Sequence, residues 1–128
     1  MSNEKSTDLH TTKVGINAVN NIFIKWGFTL EEKLAFLGLS EPEYILISDP
    51  KKAVNLSDEL NKRISYILNI YECLHVLFSN PENRYNFLKL SNNSNLFSGI
   101  SPVEYMVKRG TTSALSDIYH YIDGMRHY

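Results

Sequence analysis

Residues 57–78 read SDELNKRISYILNIYECLHVLF, and this stretch decides the fold. Its apolar side chains recur every three or four residues, which places them on one face of an α-helix. Ser57 is a favourable N-cap, and Asp58 and Glu59 follow where the helix dipole favours negative charge. The apolar stripe is Leu60, Ile64, Ile67, Leu68, Tyr71, Leu74 and Phe78, widened by Ile70, Val76 and Leu77. The stretch therefore predicts a helix over 58–78, apolar on more than one side, at the centre of the protein.

Two short helices joined by a tight turn are predicted before this helix. Thr29 with Glu32, and Ser40 with Glu43, have the spacing of capping boxes, in which side chains and backbone N–H groups satisfy each other. Gly38 is placed to end the first of the two helices. The segments have the lengths of a helix–turn–helix: a helix at 29–37, a turn at 38–40 and a helix at 41–48. Tyr44, Ile45 and either Leu46 or Ile47 are expected to face inward from the second helix.

The flanking segments are predicted to be helical as well. The helical spacing of four apolar residues after Asn17 predicts a first helix that Gly27 ends, and the polar residues 1–13 predict a disordered tail. Downstream helices are expected at 81–90, at 102–109 after a third capping box formed by Ser101 and Glu104, and at 114–126. No segment alternates as a strand does, so the expected class is all-α with about seven helices. The expected domains are 14–56, helix–turn–helix-like, and 57–128, a helical module.

Composition excludes several classes of protein. The 128 residues carry 13 Lys and Arg against 14 Asp and Glu, whereas a dedicated nucleic-acid binder usually has a basic excess. The single Cys73 allows no internal disulfide and fits a reducing cytosol. The polar N-terminus has no apolar run of signal-peptide length, and the longest apolar-rich stretch is far shorter than a membrane span. We therefore expect a cytoplasmic protein that does not enter a membrane.

Catalytic and metal-binding motifs are weak in this sequence. His75 lies between apolar neighbours, and Cys73 is two residues away, which in a helix points the two side chains in nearly opposite directions. His120 and His127 have Asp residues at helical spacing, a common arrangement on exposed helix surfaces. There is no phosphate-binding glycine loop and no nucleophile elbow. The expectation is a protein that is not an enzyme and that needs no metal or cofactor.

Six short strings occur in a fixed order along the chain. They are Lys-Trp-Gly at 25–27, Leu-Gly-Leu-Ser at 37–40, Arg-Ile-Ser-Tyr-Ile-Leu-Asn-Ile-Tyr at 63–71, Leu-Phe with Asn-Pro-Glu at 77–82, Phe-Ser-Gly-Ile-Ser-Pro at 97–102 and Tyr-Ile-Asp-Gly-Met-Arg at 121–126. In this order and spacing the chain resembles the Xre/MbcA/ParS antitoxins. The resemblance covers residues from Asn17 to the C-terminus.

The resemblance implies the antitoxin of a type II toxin–antitoxin system. Its fold would be an N-terminal Xre-like helix–turn–helix packed on a C-terminal toxin-binding module. Such antitoxins bind RES-domain toxins, which consume NAD or use it for ADP-ribosylation, and block the active site of the toxin. The resemblance also implies a homodimer, a toxin–antitoxin hetero-oligomer and, for many members, binding to promoter DNA.

Two segments are candidates for contact with the toxin. In the last helix Ile118 and Ile122 are expected to pack inward, which leaves a set of tyrosines and an arginine for a partner: Tyr119, Tyr121, Arg126 and Tyr128. The resemblance places the loop before the sixth helix near the same surface, and its candidates are Phe97, Ser98, Gly99, Ser101 and Pro102. A purely structural role for this loop is the alternative, because Gly99 suits a turn with positive φ and Ser101-Pro102 suits a helix start.

DNA binding by the helix–turn–helix is the alternative function, as an autorepressor of the operon. Its candidate residues are Ser40, Tyr44, Lys51 and Lys52. However, the helix that would enter the major groove starts with Glu41, Pro42 and Glu43, whose carboxylates would face phosphates. Members of the family usually carry basic or amide side chains there, so a structural role is favoured for these helices. A third interpretation is an adaptor that uses the same surfaces for another protein.

Overall fold

A computed structural model describes the backbone of residues 2–127 and the side chains of residues 13–127. This part of the chain contains seven α-helices, one 3-10 turn and no strand, which confirms the expected all-α class. The helices are α1 Ser2–Trp26, α2 Leu30–Leu37, α3 Glu41–Ser48, α4 Asp58–Leu77, α5 Pro81–Asn86, α6 Pro102–Arg109 and α7 Thr112–Met125. The 3-10 turn, Phe87–Lys89, follows α5 directly and replaces the end of the longer helix predicted at 81–90.

Helix α4 is the central helix, as its apolar pattern predicts. It packs against α1, α2 and, most extensively, α7. Ile67, Ile70 and Leu74 are completely buried in a core to which both predicted domains contribute. Val76 departs from the prediction, because it lies on the solvent side of the last turn with 67% of its surface exposed. The predicted N-cap is confirmed, since the hydroxyl of Ser57 accepts a hydrogen bond from the backbone of Leu60.

The first helix begins earlier than the sequence pattern predicts. Lys13 to Ile16 precede the predicted start at Asn17, yet they are helical, and Ile16 is completely buried. The pattern misses this turn because polar residues and Gly15 surround a single buried apolar side chain. Lys13 has a structural role, since its Nζ donates to the carbonyl oxygens of Ile47 and Asp49, 2.8 Å away in each case. The backbone of residues 2–13, for which the sequence predicts a disordered tail, is helical and belongs to α1.

The helix starts confirm most of the predicted capping. Reciprocal capping boxes join Thr29 to Glu32 and Ser40 to Glu43. At α6 the box is only half formed: the hydroxyl of Ser101 accepts from the backbone of Glu104. The carboxylate of Glu104 lies 3.4 Å from Lys108 Nζ, one turn along the helix. The prediction of a third capping box was therefore wrong in its second half, because the carboxylate has a competing cation on its own helix.

Arg63 joins α2 to the C-terminal helices. It is 93% buried, and its guanidinium reaches three separate segments. Nη1 donates to the carbonyl of Ala35 at 3.0 Å, Nη2 donates to the carbonyl of Gly110 at 2.8 Å, and Nε donates to the hydroxyl of Thr112 at 2.9 Å. Burial lowers the pKa of Arg63, and the carboxylate of Glu59 opposes that effect. The positive charge thus lies against the carboxyl ends of α2 and α6, where the helix dipoles favour a cation.

Candidate partner-binding surface

Helix α7 lies on α4 and presents two different sides to its surroundings. Ile118 and Ile122 are completely buried, which confirms the prediction that they pack inward. Tyr119 and Tyr121 are two residues apart, about 200° around a helix, so they leave α7 on opposite sides. The predicted toxin-binding residues are therefore divided between two flanks of α7 that have different neighbours.

The first flank carries Tyr119 and its neighbour on α4, Tyr66. Their rings lie 5.7 Å apart between centroids, and both side chains are half-buried. Burial raises the pKa of Tyr119, and the nearby carboxylate of Asp123 adds to the effect. The two rings form an aromatic surface in the groove between α4 and α7, of the kind that interface centres favour.

Arg126 continues this flank at the end of α7. Its Nε lies 3.4 Å from Asp123 Oδ1, and its Nη1 lies 3.7 Å from the sulfur of Cys73. The side chain keeps 36% of its surface exposed, so part of its guanidinium faces solvent. Cys73 is 97% buried, and burial raises the pKa of its thiol despite the opposing effect of Arg126. The thiol is therefore held neutral rather than activated as a nucleophile.

The second flank of α7 is closed by the loop before α6. Asn92 Nδ2 donates to the hydroxyl of Tyr121 at 3.3 Å. The ring of Tyr121 meets that of Phe97 edge to face, with centroids 5.1 Å apart, and Phe97 makes a similar contact with Tyr105 at 5.4 Å. Only 2% of the surface of Phe97 is exposed. The side chain predicted for contact with a toxin is thus part of the core, because it fills the space between α6 and α7.

Asn92 organises the loop, and sequence reasoning missed it. Its N–H donates to the carbonyl of Ile100, and its own carbonyl accepts from Gly99 at 2.8 Å. Its side-chain oxygen accepts from the backbone of Ser94 at 2.9 Å. Residues 91–95 contain three asparagines, a composition that predicts turns. It does not distinguish Asn92 from the other two.

The remaining loop candidates divide between scaffold and surface. Pro102 is buried at the first turn of α6, and Ser101 caps that helix, so both support the structural alternative. Ser98 and Gly99 are exposed, and both have positive φ, 51° and 95°. These two residues form the accessible tip of the loop. Tyr128, the last candidate, lies outside the described residues.

Two of the four predicted DNA-contacting residues, Tyr44 and Ser40, are engaged within the fold. The hydroxyl of Tyr44 donates to Asn20 Oδ1 at 2.6 Å, and Asn20 Nδ2 donates to the hydroxyl of Ser48 at 3.2 Å. Ser40 accepts from the backbone of Glu43 at 3.3 Å. Lys51 and Lys52 are exposed beyond the carboxyl end of α3.

The start of α3 carries negative charge in the position where a reader of DNA would meet the bases. The carboxylate of Glu43 accepts from the N–H of Ser40 at 2.9 Å, and this backbone hydrogen bond lowers the pKa of Glu43. Glu41 lies in the same turn and is exposed. Carboxylates at this position would repel the phosphates on either side of a major groove.

The orientation of α3 differs from the prediction for one apolar residue, Ile45. Tyr44 is half-buried, and of the alternatives Leu46 and Ile47 it is Ile47 that is buried. Ile45 instead lies on the solvent side with 61% of its surface exposed, and Leu46 beside it is 46% exposed. An eight-residue helix with apolar residues at consecutive positions has no periodicity that defines its buried face, which explains the error.

The histidines make local contacts within their own helices. His75 Nδ1 lies 3.0 Å from the carbonyl oxygen of Tyr71, and its ring lies 4.3 Å from the ring of that tyrosine. His120 Nδ1 lies 2.8 Å from the carbonyl oxygen of Ser116. Among the side chains of residues 13–127, no three His, Cys, Asp or Glu groups come together as a metal site would require. The rings of His75 and His120 are therefore held by contacts with the preceding turn of their own helices.

Comparison with known proteins leaves the function to be inferred from the residues themselves. No protein-family model matches the chain, and no curated protein matches it. None of the helices formed by residues 2–127 combines the length and the apolar composition that crossing a membrane requires. The geometry of α7 and α3, together with the ordered strings of the sequence, is therefore the basis for inferring a function.

Proposed function

We propose that this chain is the antitoxin of a type II toxin–antitoxin pair, which binds a RES-domain toxin in the cytoplasm and blocks its NAD-dependent active site without turnover. The observation that supports this proposal is the flank of α7 that carries Tyr119 and Arg126. This flank overlaps the string 121–126, through which the C-terminal end of the chain resembles the Xre/MbcA/ParS antitoxins.

The chemistry of this flank suits a protein partner. Tyrosine and arginine are enriched at the centres of interfaces, because they bury a large area and keep a polar tip that finds hydrogen bonds. The paired rings of Tyr66 and Tyr119 supply the area. A guanidinium has five N–H donors, so Arg126 has donors beyond those near Asp123 and Cys73. The planar guanidinium can donate two hydrogen bonds to a carboxylate of the toxin, or it can occupy a phosphate-binding pocket there.

Gly124 is a second feature of α7 that fits a partner. A Cβ atom at this position would meet no neighbouring atom within 4 Å, so the packing of the chain itself does not require glycine. Glycine within a helix costs about 0.5–1 kcal/mol relative to alanine. Because Gly124 has no side chain, another chain can approach the backbone of α7 closely between the exposed His120 and His127.

Co-expression with the RES-type toxin encoded beside this gene tests the proposal. The double variant Tyr119→Ala with Arg126→Ala is expected to lose neutralisation, because it removes the ring and the guanidinium but no completely buried side chain. Tyr85→Ala is the matched control. Tyr85 is also a half-buried tyrosine, but it lies on α5 beside His75 and not on α7. Point variants are preferable to a deletion of residues 119–128, which would also remove the buried Ile122.

Two outcomes would contradict the proposal. One is a double variant with a native circular dichroism spectrum that neutralises the toxin as the wild type does. The other is equal loss in the Tyr85→Ala control, which would mean that general destabilisation causes the effect. A pulldown from cells that returns no RES-domain protein would instead favour the adaptor interpretation.

An autorepressor that binds DNA is the alternative, and Lys51 and Lys52 are the observation in its favour. Both are exposed beyond the end of α3, whereas Ser40 and Tyr44 are engaged within the fold. Gel shifts with the upstream promoter decide between the two functions. Specific binding at physiological salt, on the order of 10⁻⁸ M, would support the autorepressor. Its loss in the double variant Lys51→Ala with Lys52→Ala would assign the contact to these lysines.

A further inference from the structure

A lysine and three aromatic side chains with polar groups lie together where α1, α4 and α5 meet. They are Lys25 in the last turn of α1, Tyr71 and His75 on α4, and Tyr85 on α5. Lys25 Nζ donates to the hydroxyl of Tyr71 at 3.0 Å and lies 5.3 Å from the centre of that ring. The ring of His75 lies 4.3 Å from that of Tyr71 and 6.3 Å from that of Tyr85. None of these four residues belongs to α3 or α7, so the functions considered above do not use them.

The side chains of this cluster are held in place by their surroundings. Arg84 Nε donates to the carbonyl of Phe78 at 3.1 Å, which fixes α5 against the end of α4. His75 Nδ1 lies 3.0 Å from the carbonyl oxygen of Tyr71, and since a carbonyl only accepts, this nitrogen carries a proton and donates. Trp26, which is 97% buried, packs against the ring of Tyr71 with centroids 6.3 Å apart. A ligand therefore meets a cluster that is largely organised before binding.

The cluster offers hydrogen-bond donors to solvent. The hydroxyl of Tyr71 accepts from Lys25 and keeps its own proton, and the O–H groups of Tyr71 and Tyr85 meet no acceptor among the described residues. Lys25 is exposed, and its hydrogen bond with Tyr71 raises the pKa of the ammonium. No carboxylate of residues 13–127 lies within 4.0 Å of Lys25 Nζ, including those of Glu72 on α4 and Glu82 on α5. A positive charge with neighbouring donors and no paired carboxylate suits an anion.

We propose that this cluster binds the phosphate group of a small phosphate monoester that carries a planar ring, of the class of a nucleoside monophosphate. A phosphate monoester has three terminal oxygens, one for each donor side chain, Lys25, Tyr71 and Tyr85, whereas a carboxylate has two. The half-buried rings of His75 and Tyr85 lie beside these donors and suit stacking with the planar group. This inference is independent of the antitoxin proposal, because it concerns other residues and a small ligand.

Titration of the full chain with inorganic phosphate, adenosine monophosphate and adenosine at constant ionic strength tests the inference. Trp26 is the only tryptophan and contacts Tyr71, so its fluorescence reports on the cluster, while NMR shifts of the backbone amides locate the binding. The monophosphate is expected to bind saturably and to shift the amides of Lys25, Tyr71 and Tyr85. Adenosine is expected to bind at least about 10-fold more weakly, because it has no charged acceptor. Inorganic phosphate that binds as tightly as the monophosphate would identify free phosphate as the source of the group.

Two conservative variants test the assigned donors. Lys25→Gln and Tyr71→Phe are each expected to raise the dissociation constant of adenosine monophosphate about 10-fold, and the phenylalanine keeps the ring that packs on Trp26. Lys62→Gln and Tyr66→Phe are the matched controls, an exposed lysine and a half-buried tyrosine of α4 outside the cluster. Three results would overturn the inference: no saturable binding of either phosphate ligand, amide shifts that lie elsewhere in the chain, or a loss in Lys62→Gln as large as that in Lys25→Gln.

Discussion

A Cβ atom at Gly38 would lie 2.6 Å from the guanidinium carbon of Arg63. Gly38 ends α2 with a left-handed backbone, φ 68°, and its missing side chain leaves the space that the guanidinium fills. Arg63 in turn donates to the carbonyl of Ala35 in the last turn of α2. The turn between α2 and α3 and the central helix therefore require each other, although the two residues belong to different predicted domains.

Gly38→Ala is expected to destabilise the fold more than an ordinary glycine substitution does. The alanine has an unfavourable positive φ, and its Cβ displaces a buried guanidinium, which together cost about 3 kcal/mol. Gly110→Ala is the matched control, because Gly110 has nearly the same φ, 67°, but no atom lies within 4 Å of the added Cβ. It is expected to cost about 1 kcal/mol. Urea unfolding followed by circular dichroism measures both, and equal losses would mean that the contact with Arg63 is unimportant.

Arg63→Lys is expected to destabilise the chain by about 3 kcal/mol, although it keeps the positive charge. A single ammonium cannot reach the carbonyl groups of Ala35 and Gly110 and the hydroxyl of Thr112, which lie on different sides of the guanidinium. The measurement is the free energy of unfolding in urea. Lys62→Arg, one residue earlier and exposed, is the control and is expected to leave stability within about 0.5 kcal/mol. A variant with lysine at 63 that matches the wild type would contradict the role assigned to Arg63.

Local sequence signals predicted the helix boundaries well, because capping is a local property. Thr29, Ser40 and Ser57 each bind a backbone N–H three residues later, which is fixed by the type and spacing of a few residues. The partners of Arg63 lie 27 to 49 residues away in sequence. No local pattern reports such contacts, so the sequence marked Arg63 only as part of a resemblance.

The candidate site could be predicted only in part. Side-chain type identified an aromatic C-terminal helix correctly, but it did not separate Tyr119 from Tyr121, which have different neighbours. Phe97 looked available for a partner because a polar loop surrounds it in sequence, whereas its burial depends on the packing of α6 and α7. Contacts between distant elements, rather than the order of residues, decide which aromatic side chains remain at the surface.

Glu43 is expected to make stability depend on pH through the capping box. The hydrogen bonds at Ser40 lower the pKa of Glu43 from 4.5. Its contribution to the free energy of unfolding is therefore fully present above the pKa of the unfolded chain, and it is lost as the pH falls through the lower pKa of the folded protein. Wild type is therefore expected to be more stable than Glu43→Gln at neutral pH and to approach the variant as the pH falls below the folded-state pKa of Glu43. Urea midpoints measured over a series of pH values from neutral to acidic test this. Glu41→Gln, in the same turn but outside the box, corrects for the loss of one carboxylate. A difference between wild type and Glu43→Gln that stays constant with pH would contradict the assignment.

Tyr121 and Asn92 are expected to be energetically coupled. Measuring this coupling tests whether the loop before α6 is anchored on α7. The hydroxyl of Tyr121 lies 3.3 Å from Asn92 Nδ2. Tyr121→Phe and Asn92→Ala should each destabilise by about 1 kcal/mol, and the double variant should lose less than the sum. Tyr119→Phe is the control, since Tyr119 lies on the opposite flank beside Tyr66. Additive losses in the unfolding experiment would mean that the hydrogen bond does not hold the loop.

Gly124→Ala separates stability from partner binding. The added methyl group meets no atom of the chain within 4 Å, and alanine is a better helix former, so the free energy of unfolding is expected to rise by up to about 0.5–1 kcal/mol. Neutralisation of the toxin is expected to weaken, because the methyl group blocks close approach of a partner to α7. Gly15→Ala is the control: that helical glycine faces Ile64 of the chain itself, 3.5 Å from the added Cβ, so it should leave toxin binding unchanged. A Gly124→Ala variant that is more stable and neutralises the toxin fully would show that no partner approaches α7 at this point. A variant that is less stable would mean that Gly124 serves the end of the helix itself.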